Sequence, residues 1–280
     1  MKLVSFRRNG VPGYGIVKGD GVVDLSTRFP NAPTLKDLLA SDGLDEARAV
    51  SGAATFPLSE ITFEPVIPNP AKIICVGLNY RDHVAETGRT ETAFPTLFPR
   101  YPASQVGHGQ PILKPRESDV LDYEGELAVI VGKGGRRISE TEALEHVAGY
   151  SCYNDGSVRD WQYHTGQFMA GKTFVATGGF GPWMVTADEI PDPSKLSLTT
   201  RLNGQVMQST TTDLMITPVP ALIAYISTIL PLEAGDVIVS GTPAGVGFKR
   251  KPPVLMKDGD TVEVEISEIG TLTNPVVAET

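Results

Sequence analysis

Short apolar runs broken by glycine-rich turns dominate the chain and predict more strands than helices. In the first 65 residues KLVSF, YGIVK and GVVDL are runs of this kind, and Thr34 is placed to cap a short helix through Leu39. Three prolines at positions 65, 68 and 70 then exclude both a helix and a central strand. We therefore predict a small N-terminal domain over residues 1–65 and a larger domain over residues 70–280.

The larger domain contains two continuously apolar runs, at residues 72–77 and 127–131, that predict buried strands. Residues 94–109 are rich in proline, glycine and aromatic side chains without periodicity, which predicts a loop. One helix is predicted from a capping box of Ser139 and Glu142, with apolar residues at 143, 144, 147 and 148, and another over residues 218–230. Many strands with few helices indicate an α+β, mostly β fold.

Charge and composition exclude several classes of function. The formal net charge of -9 offers no basic surface for a phosphate backbone, so no nucleic-acid partner is expected. No run approaches the roughly 20 apolar residues that cross a bilayer, and the N-terminus lacks the apolar core of a signal peptide. The two cysteines, Cys75 and Cys152, predict buried reduced thiols rather than a disulfide framework. A cytoplasmic protein without a membrane partner is expected.

Three carboxylates precede the second buried run. On a strand Asp122, Glu124 and Glu126 would share one face, where mutual repulsion and desolvation make them costly to bury. A cation relieves both costs, and all-oxygen ligands suit Mg²⁺, Mn²⁺ or Ca²⁺ rather than zinc. The alternative is a solvated alternating strand, which is the interpretation we give to Glu263 and Glu265 because apolar residues alternate cleanly with them.

Two further segments carry candidate chemistry. His83 and Glu86 follow a buried run and lie three residues apart, as neighbours on a helix do, so the carboxylate could orient a proton-accepting imidazole. Asp155 follows the strand-like YSCY as a candidate metal ligand, and Arg159 and Gln162 behind it could bind a carboxylate. A surface ion pair and an Asx turn are the respective alternatives. The roles of His108 and His164, which lie in loop-like sequence, stay open.

Six segments, taken together, resemble the fumarylacetoacetate hydrolase family in that family's order: GLNYRDHVAE, DYEGELAVIVG, YNDGSVRDWQ, GKTFVATGGFGPW, LNGQVMQSTTTDLMI and VSGTPAGVG. They cover about residues 70–250. The resemblance implies the family's mixed β-roll over residues 70–280 as the catalytic domain, a small N-terminal α+β domain, and assembly as a homodimer.

The resemblance also implies the roles of individual residues. Three match the family's metal ligands, normally for Mg²⁺ or Mn²⁺: Glu124, Glu126 and Asp155. Three match its catalytic residues, the first two as a water-activating pair on a lid that orders over substrate: His83, Glu86 and Lys172. Three match its substrate contacts: Arg159, Gln162 and Thr242. One departure is Val175, which stands where the family often has aspartate shortly after the lysine.

These roles predict an enzyme acting on a small oxo-carboxylate. A 2-oxo acid can chelate the cation, which then stabilises a developing enolate with help from Lys172. Our first expectation is hydrolysis of the C–C bond of an acylpyruvate-type 2,4-dioxo acid through a metal-bound pyruvate enolate, with His83 activating water. The alternatives are an oxaloacetate-type decarboxylase or a 2-hydroxymuconate-type isomerase of aromatic catabolism, which share that intermediate. A non-catalytic homologue is the remaining alternative.

Overall fold

A computed structural model describes all of residues 1–280 and consists mainly of strands. The strands are β1 Lys2–Arg8, β2 Val11–Lys18, β3 Gly21–Asp24, β4 Phe56–Pro57, β5 Thr62–Phe63, β6 Ile73–Gly77, β7 Thr96–Arg100, β8 Gln105–Val106, β9 Ile112–Lys114, β10 Leu121–Asp122, β11 Gly125–Val131, β12 Val147–Asn154, β13 Ser157–Val158, β14 Gly178–Thr186, β15 Ser197–Leu202, β16 Gln205–Thr211, β17 Val237–Val239, β18 Thr261–Ile266 and β19 Gly270–Ala278. The α-helices are α1 Leu35–Ala40, α2 Leu44–Arg48, α3 Arg81–Thr87, α4 Arg159–Gln162, α5 Met169–Lys172 and α6 Val219–Ile229.

The largest sheet has twelve strands and mixed pairing. Its order is β4-β3-β2-β1-β14-β12-β11-β17-β6-β7, with β5 beside β1 and β8 beside β14. Strands β17 and β6 run parallel, as do β14 and β8, while the others pair antiparallel. The N-terminal strands join this sheet through the β1–β14 pair. The mostly β, mixed architecture is as predicted, and the division into two domains at residue 65 stays a prediction.

A second sheet of order β16-β15-β18-β19-β9 lies against one face of the first. Leu127 and Val129 of β11 point into the core between the sheets, which α6 also covers. Ala128 and Ile130 point to the opposite face and share a core with α1. Strand β11 is therefore buried on both faces, as its apolar run predicted, and each fully buried aliphatic side chain there contributes about 1.5–3 kcal/mol.

Several other predicted elements are also confirmed. Residues 72–77 form β6, residues 218–230 contain α6, and Thr34 caps α1 with the reciprocal contact of a capping box to Asp37. Both cysteines are buried and free. On β18 the carboxylates alternate with buried Val262, Val264 and Ile266, as a half-exposed strand requires. The chain has no helix of the length and apolar character needed to span a bilayer.

The predicted loop over residues 94–109 is wrong, because this segment contains β7 and β8. Strand β7 pairs with β6 alone and forms the edge of the sheet, where a proline costs no inter-strand hydrogen bond on the open side. Pro99 can therefore lie within a strand, although the prolines of this segment had predicted a loop. The wrong prediction affects the functional site, because β7 ends at Arg100, whose contacts there are described below.

The predicted helix after Ser139 is also wrong. The Ser139 hydroxyl does donate to Glu142 Oε2 at 2.6 Å, but only one 3₁₀ turn follows, over Ala143–His146. Val147 instead begins β12, which pairs with β11 on one side and β14 on the other. Two ladders of backbone hydrogen bonds outweigh a weak helical periodicity in this segment, whose Val147, Tyr150 and Tyr153 also favour a strand.

Candidate active site

Three carboxylates meet where β11 and β12 pair. Glu124 precedes β11, Glu126 is its second residue, and Asp155 follows the end of β12. The register places Gly125 opposite Asn154, so the antiparallel ladder brings the three together. One oxygen from each lies within 4.8 Å of the others, and all three side chains are buried. The sheet therefore assembles the predicted ligand set from two distant segments of the chain.

Asp122 does not join this cluster, so the prediction that it shares their face is wrong. Strand β10 ends at Asp122 and β11 begins only at Gly125, which interrupts the alternation of side chains. The Asp122 carboxylate accepts backbone N–H groups of Gly247 at 2.9 Å and Phe248 at 3.0 Å. It also accepts Arg159 Nε at 2.9 Å, which holds that guanidinium beside the cluster.

Two cations hold Glu124. Lys172 Nζ lies 2.6 Å from Glu124 Oε2 and 2.6 Å from Asp155 Oδ2, and Arg159 Nη1 lies 2.6 Å from Glu124 Oε1. Burial alone would raise the pKa of Glu124, but Arg159 and Lys172 hold this pKa at about 2. Burial would likewise lower the pKa of Lys172, yet Asp155 and Glu124 raise it, so the lysine is a buried ammonium ion.

A third cation, Arg100, was not found by the sequence analysis. Its fully buried guanidinium lies with Nη1 2.5 Å from Asp155 Oδ1 and 2.9 Å from the carbonyl oxygen of Gly156. Its Nη2 donates to Thr177 Oγ1 at 2.9 Å. Arg100 therefore holds one oxygen of Asp155 while Lys172 holds the other. The only signal in the sequence was a lone arginine after an apolar stretch, which is common on protein surfaces.

Glu126 is the carboxylate that lacks a cation. Its Oε2 accepts the backbone N–H of Gly241, and no lysine or arginine pairs with it. Burial, followed by repulsion from Asp155 and Glu124, raises the pKa of Glu126 well above its ordinary value.

Together with the neighbouring Asp122, which pairs with Arg159, the three carboxylates of the cluster carry four negative charges when all are ionised and face three cations, Arg100, Arg159 and Lys172. A divalent cation would supply the missing positive charge. The carboxylate oxygens also keep lone pairs beyond those taken by Lys172 and the arginines. The chain's residues therefore fit an oxygen-coordinated ion such as Mg²⁺ or Mn²⁺.

Metal binding is expected to release a proton from Glu126. Its raised pKa favours the protonated carboxyl in the metal-free protein, and a ligand must be ionised. Affinity for Mn²⁺ should therefore rise with pH, up to about tenfold per pH unit while the proton is present. Titration calorimetry in buffers of different ionisation enthalpy measures the released proton directly. Glu126→Gln is the control, which should bind Mn²⁺ more weakly and without releasing that proton. A Mn²⁺ affinity of the wild type that is independent of pH would contradict the assignment.

His83 and Glu86 lie on α3 and face each other as predicted for neighbours on one helical face. His83 is buried, with Nδ1 3.3 Å from Glu86 Oε2. The other oxygen of Glu86 accepts the backbone N–H of Gly245 at 3.0 Å, which fixes this carboxylate. The Nε2 atom of His83 has no hydrogen bond within the chain, and His83 lines the same cavity as Glu124.

The predicted substrate contacts line this cavity too. Arg159 Nη1 donates to Gln162 Oε1 at 3.0 Å, so α4 presents the two side chains together. Thr242 donates to the carbonyl oxygen of Gly125 at 3.0 Å and accepts Gln208 Nε2 at 2.8 Å. The cavity, of about 500 Å³ with its open mouth included, thus collects carboxylates, cations and an imidazole around one space.

Two histidines and one valine lie outside the cavity. His108 Nδ1 accepts the backbone N–H of Thr273 at 3.1 Å, and burial lowers the pKa of His108. These contacts indicate a structural role for this side chain. His164 stacks on Trp161 with 4.8 Å between ring centroids. Val175 is exposed, so the departure from the family's pattern leaves the carboxylate partners of Lys172 intact.

Comparison with known proteins gives the same family at several levels. Residues 72–277 match the profile of the fumarylacetoacetate (FAA) hydrolase C-terminal family. The mitochondrial oxaloacetate tautomerase Fahd2a of Rattus norvegicus is 40% identical over 287 residues, which cover 99% of this chain and 92% of that protein.

Two solved structures share the whole fold. The 2-hydroxyhepta-2,4-diene-1,7-dioate isomerase of Mycobacterium marinum is 33% identical with a TM-score of 0.77, covering 100% of this chain and 99% of that one. The maleylpyruvate hydrolase of Sphingobium sp. SYK-6, in complex with manganese(II) ion and pyruvate, is 29% identical with a TM-score of 0.84, covering both chains fully. The motifs, the fold and these matches agree, and the chain belongs to the fumarylacetoacetate hydrolase family.

Proposed function

We propose that this chain is a divalent-cation-dependent enzyme that interconverts the keto and enol forms of an oxaloacetate-type 2-oxo acid. The observation that carries the proposal is one cavity lined by an oriented imidazole, a buried ammonium ion and the acidic cluster, at His83, Lys172 and Glu124–Glu126. The relative named an oxaloacetate tautomerase favours this reaction over acylpyruvate hydrolysis, our first expectation from the sequence. Keto–enol tautomerisation only moves a proton within the substrate, and it therefore resembles the isomerase alternative given above.

The residues of the chain can perform this transfer as one acid–base pair. With the proton of the imidazole on Nδ1, facing Glu86, the Nε2 lone pair of His83 can remove a proton from C3 of the substrate. The electron pair of that C–H bond becomes the C2–C3 double bond, and the carbonyl electrons move to the 2-oxo oxygen. The Lys172 ammonium stabilises the charge that develops there. A divalent cation held by Glu124, Glu126 and Asp155 would supply Lewis-acid stabilisation of this charge. The imidazolium then returns the proton to this oxygen and the enol leaves.

Hydrolysis of an acylpyruvate-type acid is the second candidate. The favouring observation is the same His83–Glu86 pair, which could activate water, together with the solved maleylpyruvate hydrolase on this fold. Decarboxylation of an oxaloacetate-type acid needs the charge on Lys172 but no activated water. Magnesium as the natural ion, a homodimer, and opening of α3 as a lid stay predictions of the same kind.

The test is a comparison of three reactions with Mn²⁺ or Mg²⁺ present and after removal of the metal with EDTA. The decay of the ultraviolet absorbance of oxaloacetate enol reports tautomerisation, and coupled assays report pyruvate from oxaloacetate and from an acylpyruvate. We expect metal-dependent enol decay that exceeds pyruvate formation. Acylpyruvate cleavage without enol decay would replace the proposal with the hydrolase, and no metal-dependent reaction at all would indicate the non-catalytic homologue.

A further inference from the structure

Two of the four cations that line the cavity have no carboxylate partner within the chain. The cations that line it are Arg89, Arg159, Lys172 and Lys249, and its acidic residues are Glu124 and Glu126. Arg159 and Lys172 are already paired with Glu124. Neither Arg89 nor Lys249 has a carboxylate partner anywhere in the chain, so two cations of the cavity wall remain uncompensated.

Arg89 is held by the face of its guanidinium. It lies 5.2 Å from the ring centroid of Phe168 and 6.0 Å from that of Tyr163. Stacking on an aromatic ring uses the planar face of a guanidinium and leaves its N–H groups, which lie in the plane, free to donate. No hydrogen bond within the chain takes these donors. The rings therefore position the arginine without consuming its capacity to bind an anion.

Lys249 is also positioned by neutral groups. Its Nζ donates to the carbonyl oxygen of Thr87 at 3.3 Å and lies 5.6 Å from the ring centroid of Phe248. An ammonium group has three donors, so two remain available. Thr87 ends α3 and Arg89 follows two residues later, which places both cations beside the helix that carries His83.

We propose that Arg89 and Lys249 bind the distal carboxylate of a dicarboxylic substrate, the end opposite its 2-oxo acid group. This inference rests on the proposed function for the position of the 2-oxo acid at the acidic cluster. A monocarboxylic oxo acid leaves both cations uncompensated, whereas a dicarboxylic acid carries a second anion that can pair with them. Because both cations adjoin α3, binding of the distal carboxylate also fixes the helix that positions His83. Arg89 and Lys249 are thus specificity-determining residues.

Binding of two inert ligands of equal chain length tests this directly. Malate and 2-hydroxybutanoate both have four carbons and cannot enolise, but only malate carries the distal carboxylate. In the presence of Mn²⁺ we expect Arg89→Met and Lys249→Met each to weaken malate binding by about 10–100-fold, the usual effect of losing one charge-assisted hydrogen bond. Binding of 2-hydroxybutanoate should change less than about twofold. Calorimetry supplies both constants, and KM for oxaloacetate should rise in parallel.

Arg81→Met is the matched control. It removes one positive charge from the start of α3, but Arg81 pairs with Glu91 at 3.2 Å and does not line the cavity, so malate binding should stay at the wild-type value. Equal losses for both ligands, or none for malate, would overturn the inference. If the wild-type protein lacks tautomerase activity while the malate preference depends on Arg89 and Lys249, the proposed function fails and the carboxylate site stands.

Discussion

Replacement of His83 by alanine is expected to slow oxaloacetate tautomerisation by about 10²–10⁴-fold, the usual contribution of a positioned general base. The variant should bind Mn²⁺ as the wild type does, because the imidazole contacts Glu86 and is not one of the three converging carboxylates. The measurements are the turnover number from enol decay and the Mn²⁺ dissociation constant from calorimetry. A wild-type rate in this variant would exclude His83 as the base.

Glu126→Ala provides the contrast to this variant. It removes a carboxylate from the cluster, so metal binding and turnover should fall together. Metal-dependent loss of CO₂ from oxaloacetate, which requires no base, should suffer less from His83→Ala than tautomerisation or hydrolysis does. A separation of the reactions in the His83 variant, with a joint loss in the Glu126 variant, distinguishes proton transfer from metal binding.

Replacement of Arg100 by methionine is expected to lower the free energy of unfolding by about 3–5 kcal/mol, the cost of breaking a buried ion pair from one side. The change leaves Asp155 Oδ1, the Gly156 carbonyl and Thr177 without their donor in a region closed to water. Chemical denaturation of the metal-free protein measures this loss. Mn²⁺ binding should weaken as well, because Asp155 loses the contact that orients it.

Arg116→Met is the control for this experiment. The Arg116 side chain is 72% exposed beside Glu117, so its loss should change the unfolding free energy by no more than about 0.5 kcal/mol. Arg100→Lys keeps the charge but not the planar fork and should give an intermediate loss. A loss below about 1 kcal/mol in Arg100→Met would show that the surroundings compensate for the guanidinium.

The sequence predicted the acidic cluster better than its surroundings, for a physical reason. The spacing of Glu124 and Glu126 before a buried strand was enough to identify them as candidate metal ligands, because carboxylates are costly to bury without a cation. That Asp155 joins them depends on the register between β11 and β12, which residue spacing along one strand does not specify. The resemblance to a family supplied this contact.

Long side chains were harder to place. Arg159 was expected to contact the substrate. In the structure its guanidinium is already paired with the carboxylates of Asp122 and Glu124, so it also stabilises the wall of the cavity. Arg100 was missed because its strand looked like a loop and its partners Asp155 and Thr177 lie 55 and 77 residues further along the chain. Partners that distant follow from tertiary structure, which local periodicity does not encode.

The segment after β17 has a consequence for engineering the substrate range. The backbone N–H of Gly241 holds Glu126, and that of Gly245 holds Glu86, so one short stretch of main chain sets the spacing between acidic cluster and base. Its φ angles of +104° and +103° at these two positions favour glycine, and a Cβ at position 245 would lie 2.3 Å from the carbonyl oxygen of Met207. A mutant library that varies Val246, which lines the cavity, while keeping both glycines can therefore reshape the cavity wall without moving the reacting groups apart.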